Sequence, residues 1–306
     1  MAMPLVSIIT PCYNGEAYLD RYFQSILHQT YPNLELIFIN DGSTDGTDAV
    51  MEQYRPLLEE KGVNVTYLLQ ENVGQAAALN RGLKLFQGEY LTWPDADDEM
   101  TPDCIEKKVA YLEAHPGCGL VRSDGVYYNE ATGERKSIAA EKDKGEQDIF
   151  ESLLLVHTYG CCGCYMMRKE LLLQCYPDRD IFTSRVGQNW QLLVPAASLG
   201  KCGYIDEALY TVYEHGDSHS RKERSAQEFY QRWDGFTEVL LRAIDISCCD
   251  REAYREMVLE NNARQQFYYA IAAGDKAAMK WNFDQMKQYG HASFKERLLF
   301  LKHGFK

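Results

Sequence analysis

Three carboxylates stand within four positions of one another, directly after an apolar segment. Asp95, Asp97 and Asp98 follow residues 90–94, which predict a buried strand. Buried carboxylates lose hydration and repel one another, so a nearby cation would stabilise the cluster. Mg²⁺ and Mn²⁺ prefer carboxylate oxygens and often take only one or two from the protein, with substrate phosphates completing the shell. The Asp-x-Asp spacing therefore predicts a site for a divalent cation and a phosphorylated ligand, with a solvated acidic turn as the alternative.

The segments before this cluster alternate between two patterns. Apolar runs over residues 6–10, 34–39 and 63–69 predict strands. Helical patterns separate them and continue over residues 76–86, with short junctions rich in Gly, Asp and Asn. This alternation is typical of an α/β fold with parallel strands, in which the ligand lies at the carboxyl ends of the strands.

Four motifs in the first two-thirds of the chain resemble, in order and spacing, the family 2 glycosyltransferases with a GT-A fold. They are Pro11-Cys12-Tyr13-Asn14, residues 41–47, Asn72-Val73-Gly74 followed by residues 78–82, and Asp95-Ala96-Asp97-Asp98. The resemblance implies a Rossmann-like nucleotide-binding domain with a mixed sheet flanked by helices. It also implies a hexosyltransferase that uses a nucleotide-activated donor, usually a UDP-sugar, and inverts the anomeric carbon.

The resemblance assigns roles to residues at the donor site. Tyr13 would stack on uracil, and Asp41 would accept a hydrogen bond from the pyrimidine N–H, with an Asx-turn as its alternative role. Asp95 would bind the ribose, Asp97 would bind Mn²⁺ or Mg²⁺, and Asp98 would contact the metal or the donor sugar. The residues expected at the nucleotide are Pro11, Tyr13, Asn14, Asp41, Asn72, Gln75 and Asp95.

The chain departs from the family pattern at the acceptor site. The family's general base is usually a carboxylate in a Glu-Asp pair that opens a helix shortly before an aromatic residue, but here Gln188 and Asn189 precede Trp190. An amide cannot take the proton from an acceptor hydroxyl at neutral pH. Three interpretations remain. Gln188 and Asn189 position the acceptor, with Trp190 at the acceptor or donor sugar, while Asp124 or Asp180 is the base; the chain binds the donor without transferring its sugar; or the alignment is shifted.

A further metal ligand in the family is often a histidine after the last core strand. Residues 204–213 predict that strand, and His215 and His219 follow it. A neutral imidazole suits Mn²⁺ better than Mg²⁺. We favour His219 as the ligand, and two solvated loop histidines are the alternative.

Composition restricts the class of protein. The 306 residues are 45% hydrophobic and carry a net charge of −13. Residues 1–220 are acidic, and residues 221–306 are slightly basic. An acidic body argues against a nucleic-acid partner. No segment approaches the ~20 apolar residues that span a bilayer, and the amino end shows no signal sequence, so we expect a cytoplasmic location. The ten cysteines lack a disulfide or zinc spacing and predict free thiols, with residues 161–167 as a buried strand.

The character of the sequence changes near Arg221. Residues 1–220 are expected to form the catalytic domain, and residues 221–306 a C-terminal extension of three or four helices. The last helical segment, residues 294–306, is basic and amphipathic, with Phe294, Leu298, Leu301 and Phe305 on one face. This face predicts either peripheral contact with an anionic membrane or docking on the same chain or a second subunit. The sequence does not indicate the oligomeric state.

These patterns together predict a glycosyltransferase of bacterial surface polysaccharide synthesis. It would use a UDP-sugar, Mn²⁺ or Mg²⁺, and a glycan or lipid-linked acceptor, and this biological role rests on the resemblance. A nucleotide-sugar-binding protein without transferase activity is the main alternative. A metal-dependent nucleotidyltransferase is less favoured, because the amino end lacks a Gly-rich phosphate loop bearing Lys or Arg.

Overall fold

Nine strands form one mixed sheet in the part of the chain that the computed structural model describes, residues 3–214 and 225–304. The strands are β1 (Val6–Cys12), β2 (Leu34–Asn40), β3 (Asn64–Leu69), β4 (Tyr90–Thr92), β5 (Glu99–Met100), β6 (Cys118–Asn129), β7 (Arg135–Ser137), β8 (Tyr165–Arg168) and β9 (Lys201–Glu214). Their order is β3-β2-β1-β4-β8-β6-β9-β5, and β7 pairs with β6.

Helices cover this sheet and follow it towards the carboxyl end. In the described residues they are α1 (Leu19–Leu27), α2 (Thr47–Glu60), α3 (Gln75–Leu85), α4 (Cys104–Ala114), α5 (Phe150–Leu154), α6 (Lys169–Cys175), α7 (Gln188–Leu199), α8 (Ala226–Ile246), α9 (Arg251–Ala273), α10 (Lys276–Tyr289) and α11 (Phe294–Gly304). No helix among them is both long enough and apolar enough to cross a membrane.

The first four strands bring the predicted ligand loops to one edge. β1 lies between β2 and β4 and is parallel to both, in a register that pairs Cys12 with Asn40. β1 and β2 are buried along almost their whole length, as expected for parallel strands covered on both faces. The loops after β1, β2 and β4 therefore meet at the carboxyl edge of the sheet. This position is where open α/β sheets bind ligands.

The second half of the sheet runs in both directions. β8 is antiparallel to β4 and to β6, whereas β9 is parallel to β6. The predicted α/β fold with a mixed sheet and flanking helices is confirmed. The predicted strand over residues 161–167 is only partly right, because Cys162–Cys164 form a 3-10 turn and the strand begins at Tyr165. All ten cysteines are free thiols, as predicted.

The carboxyl-terminal helices divide between two cores. Leu240 and Ile244 of α8 and Val258 of α9 pack into the main core under the sheet. The second half of α9 builds a separate core with α10 and α11, centred on Phe267 and Phe283. The predicted helical extension is confirmed, and α9 and α10 end directly before Gly274 and Gly290. The predicted boundary at residues 220/221 lies outside the described residues, so the division into domains remains a prediction.

Candidate functional site

The three carboxylates of the Asp-x-Asp cluster differ in burial. Asp98 is only 4% exposed, whereas Asp95 and Asp97 are half-buried. Burial, together with the charge of Asp97, raises the pKa of Asp95 to about 6. Burial also raises the pKa of Asp98 well above its usual range, and the charges of Asp97 and Asp95 add to the effect. The site therefore holds more negative charge than its surroundings neutralise, and a divalent cation would relieve this repulsion.

Protein donors hold both oxygens of Asp95. Gln75 at the start of α3 donates from Nε2 to Oδ1 over 2.8 Å, and the Cys162 thiol donates to Oδ2 over 3.1 Å. The backbone N–H of Asp95 donates to the Tyr210 hydroxyl over 3.1 Å. Three elements that are distant in sequence thus orient this carboxylate, and the free rotation of an exposed aspartate is lost.

Asp97 and Asp98 are anchored mainly through β9 and α1. The Tyr213 backbone N–H donates to Oδ1 of Asp98 over 3.1 Å. Arg21 donates from Nη2 to the backbone carbonyl of Asp97 over 2.7 Å, and its guanidinium lies 3.3 Å from the centre of the Tyr213 ring. Arg21 also forms an ion pair with Glu130 over 2.9 Å. This contact of α1 with the Asp97 backbone was missed from the sequence, because nothing in residues 19–27 distinguishes Arg21 from an ordinary surface arginine.

The donor set fits a hard cation that is shared with a phosphorylated ligand. Within residues 3–214 and 225–304, no three His, Cys, Asp or Glu side chains are grouped closely enough to hold a metal by themselves. Mg²⁺ and Mn²⁺ do not need such a cage, since one or two carboxylates and substrate phosphates suffice. Asp97 is the predicted ligand. The predicted histidine ligand, His219, and its alternative, His215, lie outside the described residues.

The loops after β1 and β2 are joined to each other. Asn14 has a left-handed backbone, with φ 53°, and its Oδ1 accepts from the Thr44 N–H over 2.8 Å. Its own N–H donates to the Ser43 hydroxyl over 2.9 Å. Tyr13 is 47% exposed beside this junction, and Pro11 is half-buried. The structure therefore places an accessible aromatic face at the predicted base site, and Asn14 is used to position the loops.

Asp41 is buried and accepts three hydrogen bonds. Its Oδ1 accepts from Gln70 Nε2 over 2.6 Å and from the Val73 N–H over 3.1 Å, and its Oδ2 accepts from the Gly74 N–H over 2.9 Å. The carboxylate thus shapes the loop that carries the exposed Asn72 and leads into α3. Any contact with a pyrimidine would use the remaining acceptor capacity of Oδ2, and this role remains a prediction.

Gln188 and Asn189, the two amides of the predicted acceptor site, both form hydrogen bonds within the protein. Gln188 donates from Nε2 to Gln75 Oε1 over 2.6 Å, which joins it to the Asp95 side of the site. Asn189 accepts from Trp93 Nε1 over 3.2 Å and donates to the Gly160 carbonyl over 3.1 Å. Both side chains therefore donate hydrogen bonds through their NH₂ groups, which an ionised carboxylate could not do.

Trp190 is largely committed to packing. Its Nε1 donates to the Leu153 carbonyl over 3.0 Å, and its ring meets Phe236 edge-to-face at 5.2 Å. The ring also leaves no room for a side chain at position 160, where a Cβ on Gly160 would approach it to 2.5 Å. These contacts join α7 to α5 and to α8, and a role of Trp190 at a sugar remains a prediction.

The two carboxylates expected as alternative bases are engaged elsewhere. Asp124 accepts from the Gly125 and Ala139 N–H groups over 2.6 and 2.9 Å and from the Ser137 hydroxyl over 2.7 Å. Asp180 is exposed and pairs with Lys84 over 3.3 Å. Lys84 lies nine residues beyond Gln75 on α3, roughly 13 Å along the helix axis. The structure therefore does not bring Asp180 to the Asp-x-Asp cluster, and it uses Asp124 to hold residues 137–139.

Comparison with known sequences identifies relatives of one kind. Residues 7–175 match the model of the family described as "Glycosyl transferase family 2". The chain is 30% identical over 216 residues to glycosyltransferase GlyA of Streptococcus pneumoniae, covering 68% of this chain and 28% of GlyA. It is 40% identical over 129 residues to TuaG of Bacillus subtilis, provisionally assigned to teichuronic acid biosynthesis, covering 40% of this chain and 50% of TuaG. The chain thus spans half or less of these two relatives.

Solved structures with the same fold include two that contain nucleotide ligands. TarS of S. aureus in complex with UDP-GlcNAc matches 98% of this chain and 79% of its own, with TM-score 0.62 and 17% identity. Glucosyl-3-phosphoglycerate synthase of Mycobacterium tuberculosis, in complex with Mn²⁺, UDP and glucosyl-3-phosphoglycerate, matches 78% of this chain and 80% of its own, with TM-score 0.52 and 20% identity. At these identities the likeness is one of fold, and the expected GT-A architecture is confirmed.

Proposed function

This chain belongs to glycosyl transferase family 2, and on that premise we propose that it is a hexosyltransferase that moves a sugar from a UDP-sugar to a hydroxyl group of a glycan or lipid-linked acceptor. The reaction depends on Mn²⁺ or Mg²⁺ and inverts the anomeric carbon. The relatives support a role in the synthesis of a bacterial surface polysaccharide, since TuaG is assigned to teichuronic acid.

One observation carries this proposal. The half-buried Asp95 and Asp97 and the buried Asp98 lie at the end of β4, at the same sheet edge as the loops that carry Tyr13 and Asp41. Partly buried, self-repelling carboxylates at the same sheet edge as an accessible aromatic ring fit a pyrimidine nucleotide whose diphosphate is held through a cation. Structures of TarS, which share this fold, were solved in complex with UDP-GlcNAc and with UDP, and this supports a uridine nucleotide as the ligand.

The residues would divide the work of donor binding. Tyr13 stacks on the uracil ring, and Pro11, Asn14 and Asn72 line the nucleotide. Asp95, held by Gln75, accepts a hydrogen bond from a ribose hydroxyl. Asp97 binds the cation, and Asp98 contacts the cation or the donor sugar. A bound divalent cation supplies charge stabilisation for the diphosphate as it leaves the sugar.

A second function is supported by the acceptor side. Gln188 and Asn189 are predicted to occupy the positions of the family's acidic pair, and both are hydrogen-bonded as amides. Asp124 and Asp180, the two predicted bases, are engaged by their own partners. A nucleotide-sugar-binding protein without transferase activity is therefore the alternative. It would use the same donor site and would differ only in the absence of transfer.

The exposed apolar face of α11 supports peripheral contact of the protein with a membrane. Phe294 is 77% exposed, and Leu298 and Leu301 are also exposed on the same predicted face. Phe305, the fourth residue of that predicted face, lies outside the described residues. The opposite face packs on α10, where Phe300 stacks on Phe283 at 4.2 Å. The packing of α11 on α10 therefore leaves the apolar face of α11 exposed, and Lys295 and Lys302 lie on the same helix. The proposal places the protein in the cytoplasm, at the inner face of the membrane, where a lipid-linked acceptor would be available.

A combined binding and turnover experiment tests the proposal. UDP affinity is measured by calorimetry with and without Mn²⁺, and mass spectrometry follows hydrolysis and transfer from UDP-glucose, UDP-galactose, UDP-N-acetylglucosamine and UDP-N-acetylgalactosamine. Metal-dependent turnover of one donor is the expected result. Metal-dependent UDP binding without turnover of any donor, with candidate acceptors present, would favour the binding protein. Absence of UDP binding would overturn both functions.

A further inference from the structure

The Gln75 side chain connects two parts of the site that are far apart in sequence. It opens α3, and its Nε2 donates to Asp95 Oδ1 over 2.8 Å. Its Oε1 accepts from Nε2 of Gln188 over 2.6 Å, and Gln188 opens α7, 113 residues further along the chain. A chain of hydrogen bonds therefore runs from the acceptor-side helix through Gln75 to the donor-side carboxylate.

This chain of hydrogen bonds has a direction. A primary amide donates at one end and accepts at the other, whereas an ionised carboxylate only accepts. Asp95 therefore requires the NH₂ end of Gln75, and the carbonyl end of Gln75 requires a donor. Gln188 supplies that donor. A glutamate at position 188 would accept instead, and it would favour the opposite orientation of Gln75, with Oε1 turned towards the carboxylate of Asp95.

From this geometry we infer that Gln75 and Gln188 are positioning residues, which hold Asp95 in the orientation that binds the ribose of the donor. The inference rests on the proposed function, where Asp95 is assigned to the ribose. It accounts for an amide at position 188, which is predicted to correspond to an acid of the family, because only a donor there keeps the NH₂ end of Gln75 on Asp95. Cys162 holds the other oxygen of the carboxylate, so loss of Gln75 leaves Asp95 with one side-chain donor.

The ribose hydroxyls provide a readout that general damage to the fold would not imitate. Calorimetry with Mn²⁺ compares UDP, 2′-deoxy-UDP and 3′-deoxy-UDP for the wild-type chain and for Q75A, Q188A and Q188E. The wild-type chain should bind UDP about tenfold more tightly than at least one deoxy analogue, as expected for a hydrogen bond to a charged group. In Q75A and Q188E this ratio should fall towards one, because UDP binding weakens while binding of that analogue is unchanged. Q188A should lie between them.

A matched variant and the thermal transition separate the possible outcomes. Gln53 is exposed on α2, away from these contacts, so Q53A should keep the wild-type ratio. If Q75A and Q188E melt like the wild-type chain and keep its ratio, the inference is wrong while the proposed function stands. An equal loss of affinity for all three nucleotides also overturns the inference. A wild-type chain that binds UDP without distinguishing either deoxy analogue removes the assignment of Asp95. A wild-type chain that does not bind UDP removes the proposed function itself.

Discussion

The indole of Trp93 donates a hydrogen bond to Asn189 across 3.2 Å, and so ties the end of β4 to the first turn of α7. Asn189 in turn donates to the carbonyl of Gly160 across 3.1 Å. The side-chain oxygen of Asn189 thus accepts a hydrogen bond and its NH₂ group donates one, so both ends of the amide have a suitable partner. The position predicted to correspond to a catalytic acid of this family is here part of the framework that joins the end of β4 to α7.

Replacing Asn189 by Asp should destabilise the protein. The carboxylate would still accept from Trp93, but the Gly160 carbonyl would lose its donor and face a negative charge. We expect the free energy of unfolding to fall by about 1–3 kcal/mol, measured by urea denaturation. N64D, at an exposed position at the start of β3, should change it by less than about 0.5 kcal/mol. Equal stability of N189D and the wild-type chain would show that the amide is not required there.

Asp97 should be essential for metal-dependent binding of the donor. D97A removes the predicted protein ligand of the cation, so Mn²⁺ should no longer strengthen UDP binding in calorimetric titrations. Loss of such a contact should weaken UDP binding by at least about tenfold in Mn²⁺. D178A, which removes an exposed carboxylate after α6, serves as the control. A D97A variant with wild-type, metal-dependent affinity would contradict the assignment of the metal site.

Gly163 should not tolerate a side chain. A Cβ at this position would lie 2.0 Å from Cε2 of Tyr210, whose hydroxyl accepts from the Asp95 N–H. Tyr210 is fully packed, so G163A must displace the ring or the 3-10 turn, at about 1–3 kcal/mol of stability. Because the ring supports Asp95, UDP affinity should fall as well. G117A, where a Cβ would meet nothing within 4 Å, should match the wild-type chain in both measurements.

Arg122 should be a large contributor to stability. It is fully buried on β6, donates to the Thr158 hydroxyl over 2.6 Å and to the Asp143 carbonyl over 2.8 Å, and lies 3.8 Å from the Asp143 carboxylate. R122A leaves that buried carboxylate without its countercharge, which typically costs about 3–5 kcal/mol. R55A breaks an exposed pair with Glu59 on α2 and should cost under about 1 kcal/mol. Similar unfolding midpoints for the two variants would contradict this expectation.

The apolar face of α11 should bind anionic membranes. The wild-type chain should sediment with phosphatidylglycerol vesicles more than with phosphatidylcholine vesicles. The double variant L298E/L301E should lose about tenfold or more of this binding, since two leucines no longer enter the interface and two charges are added. L57E, at an exposed leucine of α2, should bind as the wild-type chain does. Absence of wild-type binding, or wild-type binding by L298E/L301E, would contradict the membrane role.

The order of the first strands and helices, and the sheet edge at which the predicted ligand loops meet, could be predicted from the sequence alone. Buried parallel strands appear as apolar runs, and loops at their carboxyl ends are marked by Gly, Asn and Asp. Both properties are local, so β1, β2 and β3 and the loops after them were predicted. The Asp-x-Asp spacing likewise placed a self-repelling cluster at the end of β4, where its chemistry could be anticipated.

Only the tertiary structure decided which side chains meet. Gln188 and Gln75 are far apart in sequence, as are Cys162 and Asp95, and no local pattern encodes such pairs. The sequence allowed Asp124 as the general base, but in the structure its carboxylate accepts three hydrogen bonds. A side chain's residue type sets what it can donate or accept, but its partners depend on how distant segments pack. Residue types thus indicated which chemistry is available at the site, and the fold decided which individual residues can carry it out.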